Sequence, residues 1–263
     1  HFTYCSLGTL VKYPWTSTDP QAKKLGKYNF FSSEEEIAKV VFGEMGLVKG
    51  NEFIRHPMSF LSEAADDICY RVIDIEDAVE INEISPGEAR ELYFGLLGDQ
   101  KKEYHNKANL PQLRAEVIGR LIEVFWEVFV SNYDEIMSGS RVDDLKAGLS
   151  PQDSECIASV KTANTTKIFT AEKKIRVEIG SYQVMGRILK AFGKATHALS
   201  EHQDLKSVPF IAQRCLSLAW SQDYLAANAT QPFTWWVHQT LDFISGMTDD
   251  RAIEISNSIN GFN

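Results

Sequence analysis

Three residues have the most pointed spacing in this sequence. Asp66, Tyr70 and Asp74 lie at i, i+4 and i+8, so on a helix they share one narrow strip. A carboxylate at the margin of a buried face carries a desolvation cost unless a cation or hydrogen-bond donor meets it. A hard divalent metal is a natural partner for such an aspartate. A tyrosine one turn further on offers a small ligand both a hydroxyl and a ring. The strip lies within an acidic stretch: Glu63, Asp66, Asp67, Asp74, Glu76, Asp77, Glu80 and Glu83 against the single base Arg71. The ordinary explanation of such a run is a solvated outer face. Its position directly beside an apolar stripe is what favours chemistry.

The elements that must position this strip are helical. Segment 57–82 opens on Pro57, whose fixed φ suits a first turn, and Leu61, Ala65, Ile68, Val72, Ile75 and Val79 step by three and four. Segment 33–47 opens on Ser33-x-x-Glu36, the pattern of a capping box, followed by Ile37, Val40, Val41 and Met45. A long helix is expected over 111–137, with Leu113, Val117, Leu121, Val124, Phe125, Val128 and Phe129 inward, and another over 173–203. Shorter ones are expected over 86–96, 151–163, 233–246 and 249–258. Turn signals separate them at Ser85-Pro86-Gly87, Asn109-Leu110-Pro111, Ser138-Gly139-Ser140 and Gln231-Pro232. Strand-like alternation is scarce, and no repeat, linker or low-complexity stretch marks a boundary. The expectation is an all-α chain forming a single domain over 1–263.

Composition narrows the function. The 263 residues carry 27 Lys and Arg against 36 Asp and Glu, a formal charge of −9, which argues against a protein whose main task is neutralising a nucleic-acid backbone. A hydrophobic share of 44% is that of a globular chain able to build a core. Cys5, Cys69, Cys156 and Cys215 are far apart, which disfavours a disulfide scaffold or zinc ribbon and suggests reduced thiols in the cytoplasm. No apolar run reaches the roughly 18–20 residues of a membrane span. No signal peptide is visible, and the start at His1 suggests a fragment or processed chain. Neither a Gly-x-Gly-x-x-Gly nor a Gly-x4-Gly-Lys-Ser/Thr loop is present, so a Rossmann or P-loop nucleotide site is not expected.

Longer motifs say more. The run Arg55-His56-Pro57-Met58-Ser59-Phe60-Leu61-Ser62-Glu63-Ala64-Ala65-Asp66-Asp67-Ile68-Cys69-Tyr70, continuing through Arg71-Val72-Ile73-Asp74-Ile75-Glu76-Asp77-Ala78, resembles the signature of bacterial deoxyguanosine triphosphate triphosphohydrolases of the HD-domain superfamily. Lys12-Tyr13-Pro14 resembles that family's "KYP" segment, and Asp242-Phe243-Ile244-Ser245-Gly246-Met247-Thr248-Asp249 its motif near the C-terminus. The resemblance runs from residue 3 to about 252 and is dense in these patches. It implies an all-α, multi-helix HD-domain-like fold and metal-dependent hydrolysis of dGTP, or of dNTPs, to deoxynucleoside and inorganic triphosphate. Asp66 matches the last aspartate of the family's metal set. Tyr70 and Asp74 match residues that approach the sugar and its 3′-hydroxyl, and Lys12 and Tyr13 match positions near the triphosphate. The implied cofactor is a divalent metal, Mg²⁺ or Mn²⁺, with Fe or Ni conceivable in a purified sample. The implied partners are the nucleotide, further copies in a homo-oligomer up to a hexamer, and single-stranded DNA as a regulator.

The sequence also departs from the pattern. The family's remaining ligands, a His and a later His-Asp dipeptide, precede its "KYP" segment, and no His-Asp dipeptide occurs here. The general-acid His is absent too, so no catalytic residue is assigned within this chain. The expectation is the C-terminal part of such an enzyme, with Asp66 as its contribution to the metal. A broader dNTPase or HD-type phosphodiesterase is one alternative. A catalytically incomplete helical protein that binds nucleotide or single-stranded DNA is another. Remaining candidates have plainer explanations. Lys23, Lys24 and Lys27 form a basic run, either a solvated loop or a flank of the triphosphate. His197 and His202 are five apart, unlike a helical metal pair. Phe233, Trp235, Trp236 and His238 are read as helix packing, and a role for Arg176 and Glu178 in reading guanine has no support.

Overall fold

The computed structural model describes residues 2–98, 103–163 and 172–261. The regular secondary structure of the described residues is helical apart from one short hairpin, in keeping with the all-α expectation. They form two compact units, His1–Ala171 and Glu172–Asn263.

The first unit contains α1 (Tyr4–Leu10), α2 (Pro20–Leu25), α3 (Glu35–Glu44), β1 (Val48–Lys49), β2 (Glu52–Phe53), α4 (Pro57–Glu80), α5 (Pro86–Leu97), α6 (Leu110–Ser131), α7 (Tyr133–Met137) and α8 (Pro151–Ala163). Its principal core is built by α4, α5, α6 and α8: Val72, Ile75, Leu96, Leu113, Val117 and Leu121 are fully buried. Helix starts are chemically marked. Before α4 the His56 ring accepts the Met58 amide at 3.1 Å, with Pro57 in the first turn. Ser85 and Glu88 form a reciprocal capping box at α5, as do Asn109 and Gln112 at α6. A second, smaller cluster of Phe30, Ala38, Val41 and Phe42 fixes α3 beside α1 and the hairpin.

The second unit contains α9 (Glu172–His202), α10 (Phe210–Leu216), α11 (Gln222–Ala227), α12 (Phe233–Ser245) and α13 (Asp249–Asn260). Its core gathers Ile188, Phe192, Ala195 and Leu199 of α9 against Trp236, Ile244 and Ile255. Trp236 is fully buried, with edge contacts to Trp220 and Trp235, so the aromatic run packs helices, as expected.

Several boundaries differ from the sequence reading. The Ser33/Glu36 capping box does not form. Ser32–Glu34 make a 3-10 turn, and the carboxylate of Glu34 accepts the Phe31 amide at 2.8 Å instead. The face of α3 is turned accordingly: Ala38, Val41 and Phe42 are inward, whereas Ile37 is 67% exposed and Val40 is exposed. On α4 the stripe is Phe60, Ala64, Ile68, Val72, Ile75 and Ala78, with Ala65 outside. The helix expected over 111–137 breaks at Asn132, whose amide donates back to Val128 at 2.7 Å and accepts from Arg141 at 2.8 Å. Such local side-chain bonds compete with the helical ladder. The short α1, α2, α10 and α11 and the β1/β2 hairpin, paired Val48↔Phe53, were too brief to show a period.

Candidate functional site

The first half of α4 carries two sets of carboxylates in different surroundings. Four residues advance an α-helix about 40° beyond a full turn. The strip Asp66–Tyr70–Asp74 therefore swings from outside at its start towards the core margin at its end. The Asp66 side chain is 66% exposed, Tyr70 is 66% exposed, and Asp74 is half-buried. Asp66 receives the ammonium of Lys12 at 3.2 Å. Lys12 is half-buried in the segment following α1, so the sequence-distant "KYP" and acidic motifs do meet.

Glu63 and Asp67 occupy the edge nearer the core. Glu63 is buried, and its oxygens are taken up by the Tyr13 hydroxyl and by Arg55 Nη2 at 2.7 Å. Lys27 Nζ donates to the Tyr13 hydroxyl at 2.7 Å and stands 3.7 Å from Glu63. The Arg55 guanidinium also lies over the Phe60 ring at 4.0 Å and donates to the Val142 carbonyl at 3.3 Å. Asp67 pairs with Lys146 at 2.9 Å and with Arg71 at 3.1 Å, and Lys146 reaches Asp144 at 3.1 Å. Burial alone raises both carboxyls, but the donors outweigh it: Tyr13 and Arg55 hold Glu63, and Lys146 and Arg71 hold Asp67, below the usual carboxylate range. Lys146 is held above its usual value, because its pairing with Asp67 outweighs burial. The Tyr13 hydroxyl is pushed far up by burial and by Glu63, so it stays a donor at any physiological pH.

These groups border a cavity of about 230 Å³ lined by Tyr13, Lys27, Arg55, Glu63, Val142 and Asp144, among others. Its lining sets the cations Lys27 and Arg55, both already turned to Glu63, among the carboxylates Glu63, Asp143 and Asp144. Of the residues singled out in the sequence, Lys12, Tyr13 and Asp66 are thus brought to one end of α4. Tyr70 and Asp74 continue along the same helix on its open side. Lys27 of the basic run belongs to the cluster. Arg55, Glu63, Asp67 and Lys146 were not anticipated. Arg55 and Glu63 lay inside the quoted run, and their opposite charges eight residues apart across a helix start were the available signal. Lys146 has no local signal, being 79 positions from its partner Asp67. Among the described residues no group of three or more His, Cys, Asp or Glu is placed to share a metal ion. Asp66 fits a hard divalent cation as one oxygen ligand.

The fold and this cluster define an all-α protein with cationic donors converging on the acidic face of one long helix. No family model matches the chain. It is 31% identical, over 98% of its own length, to a deoxyguanosinetriphosphate triphosphohydrolase-like protein of Pseudomonas aeruginosa (strain LESB58). It is 26% identical over 98% to one so named from a Synechocystis species, and 26% over 73% to a deoxyguanosinetriphosphate triphosphohydrolase of Yersinia enterocolitica. The chain spans about 60% of the length of the first two of these relatives. The chain is thus similar to deoxyguanosinetriphosphate triphosphohydrolase-like proteins along nearly all of its own residues.

Proposed function

We propose that this chain carries the substrate-holding part of a metal-dependent deoxynucleoside triphosphate triphosphohydrolase, with dGTP as the leading substrate. The single observation that supports the reading best is the meeting of Lys12 and Asp66 at 3.2 Å, beside Tyr13 and Lys27. An exposed pair of this kind is worth at most about 1 kcal/mol. Lys12 can therefore exchange Asp66 for phosphate oxygens at little cost, leaving Asp66 open to a divalent ion completed by donors outside these residues.

In the reaction, water attacks the α-phosphorus, the bond from phosphorus to the sugar 5′-oxygen breaks, and that oxygen leaves with a proton while triphosphate is released. A bound divalent ion supplies Lewis-acid polarisation of the phosphate. Lys12 and Lys27 offset the charge that gathers on the triphosphate. The Tyr13 hydroxyl, held protonated, donates to Glu63 and accepts from Lys27, and so positions that lysine. Tyr70 and Asp74 hold the sugar so that the 5′-oxygen lies in line with the attacking water. The Tyr70 ring lies against C2′, where a ribose hydroxyl would clash.

The test is incubation of the full-length protein with dGTP and Mg²⁺ or Mn²⁺, with products resolved by ion chromatography. Inorganic triphosphate together with deoxyguanosine is expected. Pyrophosphate or phosphate as the sole inorganic product overturns the reading. A second reading is a nucleotide-binding protein without turnover. Stoichiometric dGTP binding with no product would select it.

A further inference from the structure

The second unit holds a pocket that the proposed reaction does not use. It has a volume of about 670 Å³ and lies between α9, α10 and α13. Ile188, Phe192 and Leu199 of α9 are fully buried in the core. Beside them Ala191, Ala195 and Ala198 recur at i, i+4 and i+7, so three methyl groups line one strip of the helix. Larger side chains there would fill the space, whereas alanines leave it open. Ala212 and Cys215 of α10 and Ile259 of α13 complete the floor. Burial pushes the Cys215 thiol up to about 11, so it stays neutral and packs as a small apolar group. The volume falls in the range of small-ligand pockets, roughly 300–1,000 Å³.

Charge and lining select the ligand. The pocket carries two cations, Lys194 and Arg214, and no acid, in a chain whose net charge is −9. In the same unit Glu172 pairs with Arg176, Glu201 with His197 and Glu254 with Arg251. Among the described residues neither Lys194 nor Arg214 has an ion-pair partner. The face of the Arg214 guanidinium lies over the Phe210 ring at 4.9 Å, which leaves its in-plane N–H groups to meet a carboxylate. No aromatic ring lines the pocket, so nothing there stacks a nucleobase. A peptide laid along the floor would bring backbone N–H groups, for which the only oxygen acceptor on a lining side chain is the Ser258 hydroxyl. A hydrocarbon chain brings none.

We infer that this pocket binds a fatty-acid anion, its aliphatic chain on the alanine floor and its carboxylate paired with Lys194 and Arg214. The inference stands apart from the reaction proposed above, whose residues all lie in the first unit. Calorimetric titration with dodecanoate below its micellar range should show one saturable site per chain. Shortening the probe to decanoate should weaken binding roughly tenfold, since each buried methylene contributes up to about fourfold. Lys194→Gln combined with Arg214→Gln should weaken dodecanoate about tenfold and leave dodecanol unchanged, because two exposed ion pairs are lost. Ala191→Leu fills the floor at a half-buried helical position, so circular dichroism should be retained while dodecanoate and dodecanol are both excluded. In the unmodified protein, dodecanoate should slow modification of the half-buried Cys215 by methyl methanethiosulfonate and leave the exposed Cys69 unaffected. The absence of saturable binding, as follows if protein already covers the pocket, overturns the inference. So does binding indifferent to Ala191→Leu, dodecanol as tight as dodecanoate, or displacement of dodecanoate by dGTP.

Discussion

Neighbouring carboxylates on α4 have opposite fates. Glu63 is buried and surrounded by Tyr13, Arg55 and Lys27, and Asp67 is clamped between Lys146 and Arg71. Asp66, adjacent in sequence to Asp67, points outward and touches one lysine. A single residue step turns the side chain by about 100°, enough to separate a carboxylate that holds the fold from one available to a ligand. The comparison teaches that an acidic run is not one feature. Where donors saturate a carboxylate, removing it damages the protein. Where one exposed cation meets it, removing it should leave the protein standing and the chemistry gone.

The largest expected contrast follows directly. Asp66→Ala should abolish metal-dependent release of triphosphate while stability changes by no more than about 0.5 kcal/mol, as for ordinary surface positions. Metal content by elemental analysis should fall with it. Unfolding of the variant at unchanged metal content would make Asp66 structural and erase the contrast. Arg55→Ala is its mirror image: it leaves buried Glu63 with only the Tyr13 hydroxyl and the more distant Lys27, and breaking a buried pair by removing one partner costs up to about 3–5 kcal/mol. Chemical denaturation should show that loss, and Arg55→Ala with Glu63→Gln should recover part of it. A drop below about 1 kcal/mol would mean that solvent reaches Glu63 and that the pair is no anchor.

Acid provides the next test. Glu63 and Asp67 are held below the ordinary carboxylate range, so their contribution is present above the unfolded-state value near pH 4. It is lost as pH falls through the lower folded-state values. Urea midpoints of the unmodified protein should therefore decline below about pH 4, and Asp67→Asn should flatten that decline. The same slope in both would remove Asp67 from the clamp.

How much of this was legible beforehand depends on distance along the chain. The long helices were readable because Leu113, Val117, Leu121, Phe125 and Val128 repeat over many turns, and because Ser85 and Asn109 mark helix starts chemically. Asp66, Tyr70 and Asp74 were readable as a strip because helix spacing is a local property. Which carboxylate would be buried was not. The apolar stripe of α4 runs through Phe60 and Ala64 rather than Leu61 and Ala65, and that small rotation moves Glu63 and Asp67 to the core margin in place of Asp66. The partners of Glu63 and Asp67 include Tyr13, Lys27 and Lys146, supplied by segments joined to α4 by the fold alone. Pairings between such distant residues leave no period in a sequence.

Smaller effects sharpen the open side of the helix. Tyr70→Ala removes a ring that is 66% exposed and supports no part of the core, so the melting temperature should hardly move. What should change is selectivity. If the ring stands against the sugar, the ratio of kcat/KM for dGTP over GTP should fall, mainly through improved use of GTP. An unaltered ratio would take Tyr70 out of sugar recognition and leave Asp74 as the candidate on that strip.

Lys12→Ala should have a small effect on stability and the most informative one on binding. The lost exposed pair costs at most about 1 kcal/mol. Yet Lys12 occupies the oxygen that a divalent ion would use, and it is also the cation proposed to meet the triphosphate. Its removal should therefore tighten metal binding, measured by Mn²⁺ titration without nucleotide, while raising KM for the dNTP. The two changes have opposite signs, whereas general damage to the site would weaken both. Lys12→Arg should restore the KM more fully than the metal affinity, because its charge serves the triphosphate but still competes at Asp66.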